Sequence, residues 1–200
     1  MGADVHIVLG KINIQAIEDR RKAGTSTCTE IALFKDMQVS HEDFILVNVP
    51  PEWDLGRNYA LFAWLANVRG SVRPIENEGV RKEQTWEFLK WLDNKRIADQ
   101  RAAGVSSQGR AGYYDELEDS LDLGDHSRII HSVNYLKSFD YDRVAEVDDD
   151  ENPESTWDNP IWMKPIGGET YRELFGEQYF GLINHCVTEG YHFILFGFDS

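Results

Sequence analysis

The chain has 200 residues and a formal net charge of −15, with 35 acidic against 20 basic side chains. That balance argues against binding a long nucleic acid, which needs clustered Lys and Arg, but leaves room for a small anion held by a few local Arg residues. A hydrophobic fraction of 42%, including 6 Trp, 8 Tyr and 10 Phe, supplies a core for one domain spanning 1–200.

Two cysteines, Cys28 and Cys186, make neither a disulfide framework nor a CxxC pair, which points to a reducing compartment. No apolar run approaches the roughly 20 residues that cross a bilayer, and no N-terminal signal is visible. The expectation is a cytoplasmic protein with no membrane partner.

Residues 4–9 alternate as a strand, with Asp4, His6 and Val8 on one face and Val5, Ile7 and Leu9 on the other. Residues 10–29 are polar and ambiguous. IALFKD (31–36) and FILVNV (44–49) read as two further strands, the second stopped by Pro50 and Pro51. A helix near 57–69 is apolar on almost every side and is expected to be deeply buried. A long amphipathic helix near 82–103 begins a helical and acidic insertion over 82–126. IIHSV (129–133) is a short strand or a helix start, and 145–160, with DDDE at its centre, is an acidic surface loop. The helix near 169–189 places Tyr171, Leu174, Phe175, Tyr179, Leu182, Ile183 and Cys186 at helical spacing. YHFILFGF (191–198) is a final strand, apolar enough to be buried on both faces. The fold expected is α+β, with a mixed sheet holding the first and last strands and packed with these helices.

The polar face of the first strand carries the chemistry worth naming. Asp4 and His6 sit roughly 7 Å apart at about 3.3 Å per residue, close enough to share a proton or a divalent metal. A solvent-facing strand would show the same pair. Arg57, Asn58 and Tyr59 open the buried helix, where backbone N–H groups and a guanidinium suit an anion; an ion pair between Arg57 and Glu52, Asp54 or another acidic neighbour accounts for the arginine equally. Arg69 and Arg73 bracket Gly70 after that helix, where a phosphate contact or the helix dipole explains them. His131 and Ser132 pair an imidazole with a hydroxyl as base and donor, or form a polar entry to a short element. Asp199 follows the last strand and is a third ligand for a metal at Asp4 and His6, or simply a solvated end. No zinc pattern, phosphate loop, Rossmann fingerprint or GxSxG elbow is present.

At MGADVH (1–6), RNYALFAWLANVRG (57–70), HSVNYL (131–136) and FGFDS (196–200), the chain resembles a family of small uncharacterised proteins scattered through bacteria and bacteriophages. Ala3 stands where that pattern has Cys, and Asn134 and Tyr135 where it has Ser and Trp. The resemblance supplies no activity. Its anchors include Asp4, His6, Arg57, Asn58, His131 and Asp199, and it implies that Asp4, His6 and Asp199 meet, with His131 and Arg57 closing over them, if the terminal strands are neighbours. It also implies the host cell cytoplasm as location if the chain is phage-encoded.

These residues suggest action on a small phosphate-containing ligand, a nucleotide, by phosphodiester hydrolysis, and the resemblance to phage proteins implies a nucleotide immune signal. His6 and His131 would move protons with Asp4, while Arg57, Asn58, Tyr59, Arg69 and Ser132 bind the ligand. Asp4, His6 and Asp199 would hold a divalent metal. Two alternatives use the same features: a protein that sequesters the nucleotide without cleaving it, and an acidic protein that blocks a host protein. Trp86, Phe88 and Trp91 would serve a homo-oligomer through helix 82–103, or pack within the chain. Chemistry requires Asp4 and His6 to converge with another titratable group, whereas sequestration by stacking requires an aromatic-lined pocket.

Overall fold

A computed structural model of the chain describes residues 4–24, 43–66, 71–75, 127–156 and 159–198. The expected strand at 31–36, the helix at 82–103 with its insertion to 126, Arg69 and Asp199 lie outside these residues. The described chain is α+β. Its elements run β1 (Val5–Ile12), α1 (Ile14–Ala23), β2 (Phe44–Asn48), a 3-10 turn (Pro51–Trp53), α2 (Tyr59–Ala66), β3 (Ser127–Ser132), α3 (Val133–Ser138), β4 (Val147–Asp148), β5 (Trp162–Met163), α4 (Tyr171–Glu189) and β6 (Phe193–Phe198).

The main sheet has the order β2-β1-β6-β3, so the first and last strands are its two central members. All three pairings are antiparallel. β1 and β6 run in register from Val5 opposite Phe198 to Gly10 opposite Phe193. Every residue of β6 is buried, as its unbroken apolar run predicts. One face, carrying Val5, Ile7, Leu9, Ile194, Phe196 and Phe198, joins the helical core. The other face is buried too, at Val8, Ile130, Phe193 and Leu195. It is therefore not a polar floor along its length. Gly10 is small because the Phe193 ring lies over it, and a Cβ there would fall 2.1 Å from the ring.

The helical core centres on Trp64, fully buried on α2. Phe139, Tyr141, Tyr171, Phe175 and Tyr179 surround its ring at centroid distances of 4.8–6.4 Å. The expected buried positions of α4 are met, with Leu174 only partly buried. Thr170 and Glu173 form a capping box at its start, and Gly190, at φ 72°, ends it. Periodicity does not reveal that α4 breaks at Gly176, where φ is 75° and ψ 165°. Such a break frees the preceding carbonyls. Asn58 Nδ2 donates to two of them, Leu174 O at 3.3 Å and Phe175 O at 3.4 Å. The same side chain caps α2, its Oδ1 accepting from Leu61 N at 2.9 Å.

The described part of the acidic segment 145–160 is largely exposed or part-buried and includes a short strand. It contains β4, which pairs with β5, and Ala145 is buried. Ser155 Oγ donates to Asp148 Oδ1 at 2.6 Å and accepts from Ile161 N at 3.0 Å, which closes the turn. At its base, Glu146 binds Arg73 at 2.6 Å and Lys164 at 3.3 Å.

The chain after β2 is fixed by Trp53. Its ring packs on Gly181 of α4, where a Cβ would lie 2.3 Å from the ring, and it stacks near His185 at 5.6 Å. Gly181→Ala adds helix propensity of roughly 1 kcal/mol, yet it is expected to destabilise the protein by about 1–3 kcal/mol through overpacking against Trp53. Urea denaturation of the variant tests this; a gain in stability contradicts the packing. Asn58→Asp retains the cap acceptor but sets a carboxylate against two carbonyls. A loss of about 1–3 kcal/mol is expected from the lost donor, although Asp and Asn are equal as caps; wild-type stability in the same assay contradicts the dual role of Asn58.

Candidate functional site

Where β1 enters the sheet, a cavity of about 500 Å³ is lined by Asp4, Val5, His6, Ile7, Asn48, Val49, Pro51, Asp54 and Gly56. It lies beyond Val8, at the end of the sheet where Asp4 and His6 are only partly covered. Two strands and one turn build it. β1 contributes His6, and β2 ends with Asn48, held on the same sheet face by the pairing of Val8 with Asn48. Val49 N donates to Ile7 O at 3.1 Å, extending the pairing past β2. The turn after Trp53 forms the opposite wall.

That turn is tied down at three points. Asp54 Oδ1 accepts from Gly56 N at 2.9 Å, an Asx turn. Gly56 takes φ 54°, a left-handed conformation that favours glycine, and its carbonyl accepts from Val5 N at 3.1 Å. Arg57 Nε donates to Asp4 Oδ1 at 2.8 Å. This bond and the Asp4 charge raise the Arg57 pKa further above its ordinary value. The partner of Arg57 is thus the carboxylate of the first strand, rather than Glu52 or Asp54.

The structure sets Asp4 and His6 on one cavity and bonds Arg57 to Asp4, and it separates His131 and Ser132 from them. His6 stands opposite Gly197, while His131 stands opposite Ile194. Because side chains alternate, these positions face opposite sides of the sheet. His131 is fully buried in the helical core, its Nε2 3.3 Å from Leu65 O and its ring edge-on to Phe196. A joint role for His6 and His131 is thereby corrected: the sheet lies between them. Ser132 pairs with Phe193, four residues along β6 from Gly197, or roughly 13 Å at about 3.3 Å per residue. It is at the far end of the sheet. Asn58 is consumed by the cap and by α4, so α2 presents its own cap where a bound anion was expected. Tyr59 begins α2, part-exposed, and does not line the cavity.

Asn48 and Asp54 are the lining residues that sequence reasoning did not place. The Asp-x-Gly turn at 54–56 was a readable signal; nothing marked Asn48 beyond its place before Pro50 and Pro51. Among the described residues, no three His, Cys, Asp or Glu side chains are grouped to hold a metal ion. Also among them, no helix is long and apolar enough to cross a membrane. No family model matches the chain, and no curated protein or solved structure matches it.

Burial lowers the His131 pKa from 6.5 to about 4, offset in part by the bond to Leu65. The unfolded chain therefore takes up this proton first. Stability from His131 is complete above pH 6.5 and falls as pH drops toward 4, by about 3 kcal/mol across that window. His131→Gln keeps a donor for Leu65 O and is expected to remove this slope. Denaturation curves at pH 7, 5.5 and 4 measure it, and equal slopes in both proteins contradict the assignment.

Proposed function

We propose that the cavity binds a small phosphate-containing ligand of nucleotide size, and that the protein hydrolyses a phosphodiester bond in it. The observation carrying this reading is that Asp4, His6 and Asp54 converge on one cavity of about 500 Å³, within the size range of ligand sites. His6 is the group suited to proton transfer near neutral pH. In the step proposed, water attacks phosphorus and the bond from phosphorus to the leaving oxygen breaks. His6 takes a proton from the water or supplies one to the leaving oxygen.

Convergence of a further titratable group, Asp54, favours chemistry over passive sequestration. Among the described lining residues there is no aromatic ring on which a base would stack. The carboxylates disfavour a bare phosphate at the cavity centre. A divalent cation carried with the ligand, or the nearby Arg57 guanidinium, offsets them.

The test incubates the pure protein with cyclic dinucleotides, cyclic ADP-ribose isomers and common nucleotides, with and without Mg²⁺, Mn²⁺ or Zn²⁺. Chromatography follows the free and the heat-released ligand. Products that fall at least 100-fold in His6→Ala, while His131→Gln retains activity at neutral pH, are expected. Ligand removed from solution but recovered intact on heating contradicts cleavage. No change across the panel contradicts both and leaves a protein partner for the acidic surface.

A further inference from the structure

The Asp4–Arg57 pair is made through Nε, as Arg172–Asp142 is, but Asp4 also lines the cavity. Asp4 Oδ1 is bonded to Nε, the inner nitrogen of the guanidinium, at 2.8 Å. Among the described residues, Nε makes the hydrogen bond and the terminal nitrogens make none, with Tyr59 the other group in electrostatic reach of the guanidinium. Arg57 remains mostly exposed. Its neighbour Gly56 and its partner Asp4 both line the cavity. Backbone bonding of Gly56 to Val5 fixes the base of the side chain, and Asp4 holds the inner edge of its guanidinium. The planar fork is therefore held by one edge, with two parallel N–H donors left for an anion.

We infer that Arg57 is the anion-recognition residue at the rim of the cavity, and that Asp4 is its positioning residue rather than an acid, a base or a metal ligand. This deepens the proposed phosphate-directed function and rests on it. It also gives the cavity a polarity. A phosphate group would meet Arg57 at the rim, and the hydrogen-bond donors of the same ligand would meet the Asp54 carboxylate on the turn wall.

The sign of one substitution separates positioning from charge. If Asp4 merely adds negative charge, removing it tightens anion binding. If Asp4 holds the fork, removing it weakens binding. Asparagine keeps the oxygen acceptor for Nε without the charge.

Inorganic pyrophosphate is the probe, titrated at fixed low ionic strength and followed by its phosphorus NMR shift, with circular dichroism melting as a folding control. Expected are saturable binding to the wild type and at least tenfold weaker binding in Arg57→Gln. Arg57→Lys, which keeps charge but not the fork, is expected between them. Asp4→Ala is expected to bind several-fold more weakly than wild type, and Asp4→Asn at least as tightly as wild type. Tighter or unchanged binding in Asp4→Ala overturns the positioning role. Unchanged binding in Arg57→Gln, or no binding to the folded wild type, overturns the recognition role. None of these readouts requires turnover, so a protein that shows the expected pattern and cleaves nothing loses the hydrolysis reading while the anion site stands.

Discussion

The pairing of β1 with β6 is the constraint on which the rest depends. It joins the two ends of the described chain, Val5 against Phe198, in the middle of the sheet. The loop-closure entropy of such a contact rises only slowly with length, about 0.6 kcal/mol for each doubling. It must nevertheless be offset by contacts that form together. Both strands bury residues on both faces, with Leu9, Ile194 and Phe196 on one side and Val8 and Leu195 on the other. Each fully buried aliphatic or aromatic side chain contributes about 1.5–3 kcal/mol. The pairing also decides where a site can exist. Its interior is closed, so the accessible polar groups along β1 lie at its two ends, Asp4 and His6 at the start and Lys11, held over the Tyr191 ring, at the finish.

A second set of contacts turns that strand end into a cavity. α4 carries the break at Gly176 and the small residue Gly181, and both are used by the chain between β2 and α2. Asn58 satisfies carbonyls at the break, and Trp53 fills the space that Gly181 leaves. The turn bearing Asp54, Gly56 and Arg57 lies between these anchors. The aromatic cluster around Trp64 holds α2 and α4 in place; Trp→Ala changes in such cores typically cost about 3–5 kcal/mol, a large part of an ordinary domain's stability. The candidate site is thus positioned by residues that never touch it.

Much of the fold was legible because its signals were local. The apolar α2, the periodic α4 and the unbroken β6 each carry their burial in their own residues. The α1 helix was not legible, since IQAIEDRRKA buries Ile17 and little else among the residues whose burial is described. The site was half legible. Asp4 and His6 were singled out and line one cavity, and Arg57 is bonded to Asp4 beside it, but His131 lies across the sheet. Ile129, Ile130, His131 and Ser132 do not alternate, so the sequence holds no phase for that strand. Only its register with β6 shows which face His131 takes. Asn58 was open to two readings, anion contact and helix cap. Choosing between them needed the carbonyls of Leu174 and Phe175, more than a hundred residues away in the chain.

The central claim is that ligand chemistry belongs to the end of β1 and not to the core histidine across the sheet. Side-chain NMR of the histidine rings, the Asn48 amide and the Arg57 guanidinium during addition of a nucleotide tests this most directly. Shifts are expected at His6, Asn48 and Arg57, with the His131 ring unmoved at neutral pH. Shifts at His131 with a silent His6, or shifts confined to residues away from the cavity, would contradict it.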